Sequence, residues 1–134
     1  MFCSSVISRN GVTYAVVEGN HTWLEAVGRC LLLGGNLAVI DSQTEFILMR
    51  SLLLQQRAGG ATVKGLWVDG TDRETPGTWY CATRHSNCPY VAWSPKPFEG
   101  ENHCACIWYA KAYDDGMVDC DCENSDANFP LCEF

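Results

Sequence analysis

Cys104-Ala105-Cys106-Ile107-Trp108-Tyr109-Ala110-Lys111-Ala112-Tyr113-Asp114-Asp115-Gly116-Met117-Val118-Asp119-Cys120-Asp121-Cys122 is bounded by two Cys-x-Cys pairs. Between them the chain is first apolar and aromatic, and then Tyr113-Asp114-Asp115-Gly116 reads as a turn. On antiparallel strands joined there, residues whose numbers share one sum face each other. Cys104 with Cys122 and Cys106 with Cys120 share the same sum. Side chains alternate along a strand, so both pairs would lie on one face. The expectation is a hairpin closed by one or two disulfides.

The whole chain is compatible with such a staple. It has 134 residues, 47% of them hydrophobic, enough for one domain spanning 1–134 with a proper core. Nine cysteines are too many for an ordinary cytosolic protein of this size and point to an oxidising, extracellular setting. Asn20-His21-Thr22 is a glycosylation acceptor that agrees with it. A formal charge of −7 argues against nucleic acid, whose phosphates it would repel. No apolar run approaches the roughly 20 residues of a membrane span. Met1-Phe2-Cys3 lacks the build of a signal peptide, so the chain reads as a mature or excised domain.

Along the chain, Gly11 to Val17 alternates loosely and reads as a first strand. Thr22-Trp23-Leu24-Glu25 is a capping box, starting a helix whose apolar stripe is Trp23, Ala26, Val27, Cys30 and Leu31. Gly34-Gly35 ends it. Asn36 to Ile40 is a short strand. Ser42-Gln43-Thr44-Glu45 is a second capping box, opening a helix to about Gln56 that buries Phe46, Met49, Leu52 and Leu53. A loop from Arg57 to Val63 leads to the strand Leu66-Trp67-Val68, which stops at Asp69-Gly70. Thr71 to Glu101 is polar, with apolar islands only at Trp79-Tyr80 and Tyr90-Val91-Ala92-Trp93. In a disulfide-rich extracellular domain such a stretch is a binding surface. No internal repeat or low-complexity segment is present.

These motifs together resemble the C-type lectin-like domain. The matching residues are Trp23-Leu24-Glu25-Ala26 with Cys30, then Gly34-Gly35-Asn36-Leu37-Ala38-Val39-Ile40, Ser42 and Glu45. Leu66-Trp67-Val68-Asp69-Gly70 stands at the family's Trp-Ile-Gly strand, and Thr71-Asp72, Gly77 and Trp79 follow at its spacing. Trp93, Cys104, Cys122 and Cys132-Glu133 complete a match running from about Tyr14 to Phe134. The resemblance implies an α+β fold: two helices, two small antiparallel sheets, a long irregular loop region and disulfide staples, with the chain ends brought together.

It also implies the bridges Cys30–Cys132 and Cys104–Cys122. The chain-entropy model assigns about 5 kcal/mol to the first and about 3 kcal/mol to the second, and strain reduces both. Cys106–Cys120 would be an additional staple, Cys81–Cys88 would close its loop locally, and Cys3 is left over as a free thiol, an interchain bridge or half of a lost pair. A four-cysteine zinc site is the rival reading of the hairpin, but structural zinc prefers Cys-x2-Cys knuckles.

Sugar-binding members of the family hold Ca2+ through oxygen ligands, of which calcium needs six to eight. Their Glu-Pro-Asn triplet, whose proline is cis, aligns with Lys96-Pro97-Phe98, so both flanking ligands are lost. Asn102 replaces their Glu before the cysteine, and Met117-Val118-Asp119 replaces Trp-Asn-Asp, leaving Asp119 unchanged. A lysine about 4 Å from a unit charge of its own sign costs roughly 4 kcal/mol at a surface-like dielectric, and a divalent ion doubles that, so Lys96 should exclude calcium. Asp72 matches an auxiliary ligand, with Pro76 where its Glu partner would be. Glu74, Glu99 and Glu101 are near.

Weighed residue by residue, His21, His85 and His103 read as surface histidines without ligand spacing. Asp114-Asp115 reads as a solvated turn rather than a catalytic pair, Asp119 as a relic ligand. Trp79 and Trp93 read as core, and Tyr80 and Tyr90 as exposed contacts. The expected function is a non-enzymatic, secreted or ectodomain recognition module of lectin type, a glycoprotein binding a glycan or protein ligand through residues 71–101. Lys96, Phe98, Glu99, Glu101, Asn102, Asp119, Tyr80 and Tyr90 are its expected contacts, and no cofactor is expected. The rivals are a calcium-dependent carbohydrate-binding lectin, with calcium on Asp72, Glu99, Glu101, Asn102 and Asp119, and a structural protein dimerised through Cys3.

Overall fold

A computed structural model describes residues 3–90, 102–110 and 116–134, with Cys3 and Ser4 described by their backbone alone. The chain begins with a hairpin, β1 (Cys3–Arg9) against β2 (Val12–Val17). Only the second of these strands is predicted above. The turn between them, Asn10-Gly11, has both residues at positive φ (53° and 81°), the two-residue geometry that matches the twist of a hairpin. The Asn-Gly pair was the available signal for β1.

Helix α1 (Trp23–Leu32) starts on the expected capping box: Glu25 N donates to Thr22 Oγ1, and Thr22 N donates to Glu25 Oε1. It buries Trp23, Ala26 and Cys30, but Leu31, predicted on the apolar stripe, is exposed. After the helix, Gly35 lies so close to the C-terminal strand that a Cβ there would come within 2.5 Å of Glu133 O. The strand that follows, β3 (Asn36–Leu37), is shorter than predicted. Helix α2 (Gln43–Ala58) buries Phe46, Met49, Leu52 and Leu53 as expected. Its capping box is half formed. Ser42 Oγ accepts from Glu45 N, while Glu45 Oε1 takes the amide of Asp41 instead of that of Ser42.

Strand β4 (Gly65–Thr71) runs through Asp69-Gly70, where the sequence reading ended it. Its pairing with β7 (Cys104–Trp108) shifts register between Trp67 and Thr71, and the extra residues bulge there, with Gly70 at φ 137°. A small ribbon of β5 (Tyr80–Cys81) and β6 (Ser86–Asn87) follows, separated by a 3-10 turn at Ala82–Arg84. Strand β8 (Val118–Cys120) pairs with β7, and β9 (Asn128–Glu133) ends the chain.

The expected two sheets are present but share a strand. The end of β9 lies between β2 and β3, antiparallel to both, and its start runs parallel to β4 (Leu66 opposite Phe129). One parallel pairing therefore makes the sheet mixed rather than purely antiparallel. Alternation along β4 and β7 separates two cores. Leu66, Val68, Ala105 and Ile107 face α2, while Trp67, Cys104 and Cys106 face α1.

All four expected disulfides form: Cys30–Cys132, Cys81–Cys88, Cys104–Cys122 and Cys106–Cys120. The hairpin register that suggested two of them is two residues off, however. Cys104 stands opposite Cys120, and Cys106 opposite Val118. Both bridges are therefore diagonal. A shift by two keeps every cysteine on the same face, and β8 ends at Cys120, so the chain carries Cys122 back to within 5.2 Å (Cα to Cα) of Cys104. The predicted turn residues Tyr113, Asp114 and Asp115 lie outside the described residues.

Candidate functional site

Strand β4 delivers Thr71 and Asp72 to the start of β7, where they meet His103. Thr71 Oγ1 and Asp72 N both donate to His103 O, at 2.7 and 3.2 Å. Asp72 Oδ1 lies 2.8 Å from His103 Nδ1, and Asp72 Oδ2 accepts the amide of Gly77 at 2.8 Å. An ionised carboxylate only accepts, so the imidazole donates from Nδ1. Both oxygens of Asp72 are thereby engaged: one shapes the 72–77 turn, the other fastens it to the hairpin. Arg73 adds an exposed ion pair with Glu123.

His103 is thus a paired, half-buried residue rather than the surface histidine predicted. Period-two alternation was the available signal, since it puts residue 103 on the face of β7 opposite Cys104 and Cys106. Asp119 belongs to the same neighbourhood. Burial pushes its carboxyl up from the ordinary value, the Asp72 charge adds to this, and His103 opposes it.

The expected contact residues are not all brought together. Lys96, Phe98, Glu99 and Glu101, with Pro97 and Trp93, lie outside the described residues. Asn102, two residues before β7, and Asp119, on β8, are both half-buried. Tyr80 is exposed, and together with Trp23, Thr71, Arg73, Glu74 and Asn87 it lines a groove of about 420 Å3. Tyr90 departs from expectation. It packs against the α2 core, and its hydroxyl bonds to Gln43. Trp79, expected in the core, is half-buried against it. Asn20 is exposed, its amide donating to Asp126 O.

Two buried carboxylates hold the region between Asp69 and Cys88 on the scaffold. Asp69 Oδ2 accepts the amide of Thr83, whose hydroxyl donates to Leu37 O. Glu133 takes Val39 N on one oxygen and Arg84 Nη1 on the other, and Arg84 also reaches Asp41.

The described ligand candidates do not compose a calcium site. Calcium needs six to eight oxygens, and each oxygen of Asp72 already accepts a protein donor that fixes its direction. Among the described residues no group of three or more His, Cys, Asp or Glu side chains is placed to hold a metal ion.

The helices, the shared strand and the bridges place the protein in the C-type lectin-like class. The family model described as "Lectin C-type domain" matches residues 19–134, and the chain belongs to that family. It is 31% identical over 96 residues to "Salivary C-type lectin 2" of Aedes albopictus, an alignment covering 68% of this chain and 62% of that protein. The calcium-independent C-type lectin SPL-2 from Saxidomus purpuratus superposes with a TM-score of 0.76 at 21% identity, covering 98% of this chain and 91% of its own. A calcium-independent type II antifreeze protein does so with a TM-score of 0.75 at 19% identity, covering 100% and 94%. The family is one of binding domains, and four disulfides set the folding of this member in an oxidising compartment.

Proposed function

We propose that the chain is a single recognition domain, 1–134, secreted or carried as an ectodomain, that binds a glycan or protein ligand through residues 71–101 without the usual principal calcium site and without catalysis. The inward-turned Asp72 carries this reading. In place of a cation bridging loop and hairpin, the protein supplies His103 and the Gly77 amide. The Lys96-Pro97-Phe98 triplet supports it, because a cation and an apolar ring stand where the family has two oxygen ligands. So do the two calcium-independent relatives of the same fold. Tyr80 offers rigid apolar area with a hydroxyl in its groove, and Asn102 and Asp119 are the proposed contacts near and on the hairpin. Lys96, Phe98, Glu99 and Glu101 complete the proposed surface, Asn20 its glycosylation site, and Cys3 a candidate for disulfide-linked dimerisation.

A thermal melt in calcium and in EDTA tests the metal part. Ligand linkage would raise the midpoint by several degrees if calcium bound the folded chain, and no shift is expected. A shift that Asp119→Ala abolishes would establish the calcium-dependent lectin instead. An array of glycans, read in both buffers and with Tyr80→Ala, tests the binding part.

A further inference from the structure

Helix α1 is apolar on both sides. Trp23, Ala26 and Cys30 are buried against the sheets. On the opposite side Leu24, Leu31 and Leu32 are 65%, 58% and 82% exposed. One exposed leucine is ordinary on a protein surface. Three on one side of a ten-residue helix are not, because a helix that is apolar all round is normally covered all round.

This outer face is complementary to itself. Gly28 lies at its centre, with Leu24 four residues before it and Leu32 four after. At about 3.6 residues per turn, Leu24 and Leu31 fall on one flank of Gly28, and Glu25, Arg29 and Leu32 on the other. Two such helices crossing antiparallel about a two-fold axis at Gly28 set like flank against like flank. Leu24 of each copy then meets Leu31 of the other, and Glu25 of each stands beside the other's Arg29. Leu32 lies over the stems of that charged pair. Such an interface is isologous, so every favourable contact is made twice. Gly28 has no side chain to hold the backbones apart, and a Cβ there would meet nothing within 4 Å.

A receiver for the leucines is also present. A groove of about 320 Å3 runs along the Leu31 flank of the helix, lined by Val27, Leu31, Leu37, Thr83 and His85. Leu24 of a second copy would enter there, and apolar anchors that fill such pockets carry most of the energy of an interface. Charge favours the same occupant. The chain's net charge of −7 repels a second copy over much of its surface, whereas this face holds one charge of each sign, placed to meet its opposite across the two-fold axis.

We infer that the outer face of α1 is a homodimer interface, in which two copies pack antiparallel across Gly28 without any bridge through Cys3. Sedimentation velocity on the full chain carrying Cys3→Ser tests it. A monomer–dimer equilibrium is expected, with a dissociation constant on the order of 10 μM for a contact made mainly by one helix of each copy. Gly28→Gln, added to that chain, sets a long side chain at the crossing and should weaken the dimer about tenfold or more. Its melting temperature, measured on the dilute monomer, should stay at or above the parent value, because glutamine is the better helix former. Charge exchange tests the geometry. Glu25→Lys and Arg29→Glu should each dimerise about tenfold more weakly, since each variant meets its own charge twice across the axis. Their equimolar mixture should recover the parent affinity as a heterodimer, in which every pair is again of opposite sign. The inference is overturned if Cys3→Ser stays monomeric at all concentrations, which would leave the face to a different macromolecule. It is equally overturned if the dimer survives Gly28→Gln, or if mixing the two charge variants restores nothing.

Discussion

His103 Nδ1 lies 2.8 Å from Asp72 Oδ1 and joins the turn after β4 to the first residue before Cys104. Asp72 is 8% exposed, so its carboxylate depends on protein donors rather than water. Removing the imidazole leaves one oxygen of a buried charge without its partner, which costs about 1–3 kcal/mol. His103→Ala should lower the urea midpoint accordingly and speed proteolysis within 72–78. His103→Gln, which can still donate, should recover part of the loss.

Glu133 accepts the amide of Val39, a fully buried residue, and one nitrogen of Arg84. Glu133→Ala orphans both donors at once. A loss of about 3–5 kcal/mol is expected in chemical denaturation, in the range for breaking a buried pair from one side. Glu133→Gln keeps an acceptor for Val39 and should cost less.

Burial raises the Asp69 carboxyl above the ordinary range, and its hydrogen bonds from Thr83, Gly70 and Ala82 oppose the shift without cancelling it. A folded-state value above the unfolded one makes a contribution that is complete below the unfolded value and fades as pH rises through the folded one. Asp69→Asn can keep the Thr83 amide bond without the charge. Its melting temperature relative to the parent should therefore improve between about pH 4 and about pH 7.

Tyr14 is pushed up to about 12, by burial first and then by Glu45, Glu133 and Asp41, while Arg84 opposes. The charged phenolate is disfavoured in the fold, so this contribution is lost only as pH rises from about 10 through that value. Ultraviolet titration should show a phenolate step near pH 12 that Tyr14→Phe removes.

The two hairpin bridges span 18 and 14 residues and are nested. Once either is closed, the other constrains little more of the unfolded chain. Replacing Cys106 and Cys120, or Cys104 and Cys122, should each cost less than the roughly 3 kcal/mol of an isolated loop, and replacing all four more than the sum. Denaturant melts of the three variants read this directly.

Much of the scaffold could be read from local chemistry. Thr22-Trp23-Leu24-Glu25 and Ser42-Gln43-Thr44-Glu45 mark both helix starts, because N-terminal amides find their acceptors within three residues. The face assignment on α2 and the shared face of Cys104 and Cys106 on β7 followed from period. Two errors came from the same source. The hairpin register and the partner of Glu45 depend on where neighbouring elements sit, and spacing along the chain does not hold that information.

The candidate site was less legible. Asp72 could be named as a family ligand position, but its inward turn required His103 to arrive from 31 residues away. Tyr90 looked like a contact because aromatic residues in polar loops usually are, yet Gln43 on α2 draws it onto the core.

What the sequence by itself determined is the set of local commitments: helix caps, strand faces, the cysteine inventory and the side-chain chemistry that Lys96 and Phe98 carry. These rest on interactions between residues close in the chain, or on chemistry a side chain carries wherever it goes. Only the tertiary structure decided that β9 runs parallel to β4, that Cys104 bonds diagonally to Cys122, and that Asn128 is buried beside Gly65 with an unused oxygen. Each joins residues distant in sequence, and packing alone selects which distant residues meet.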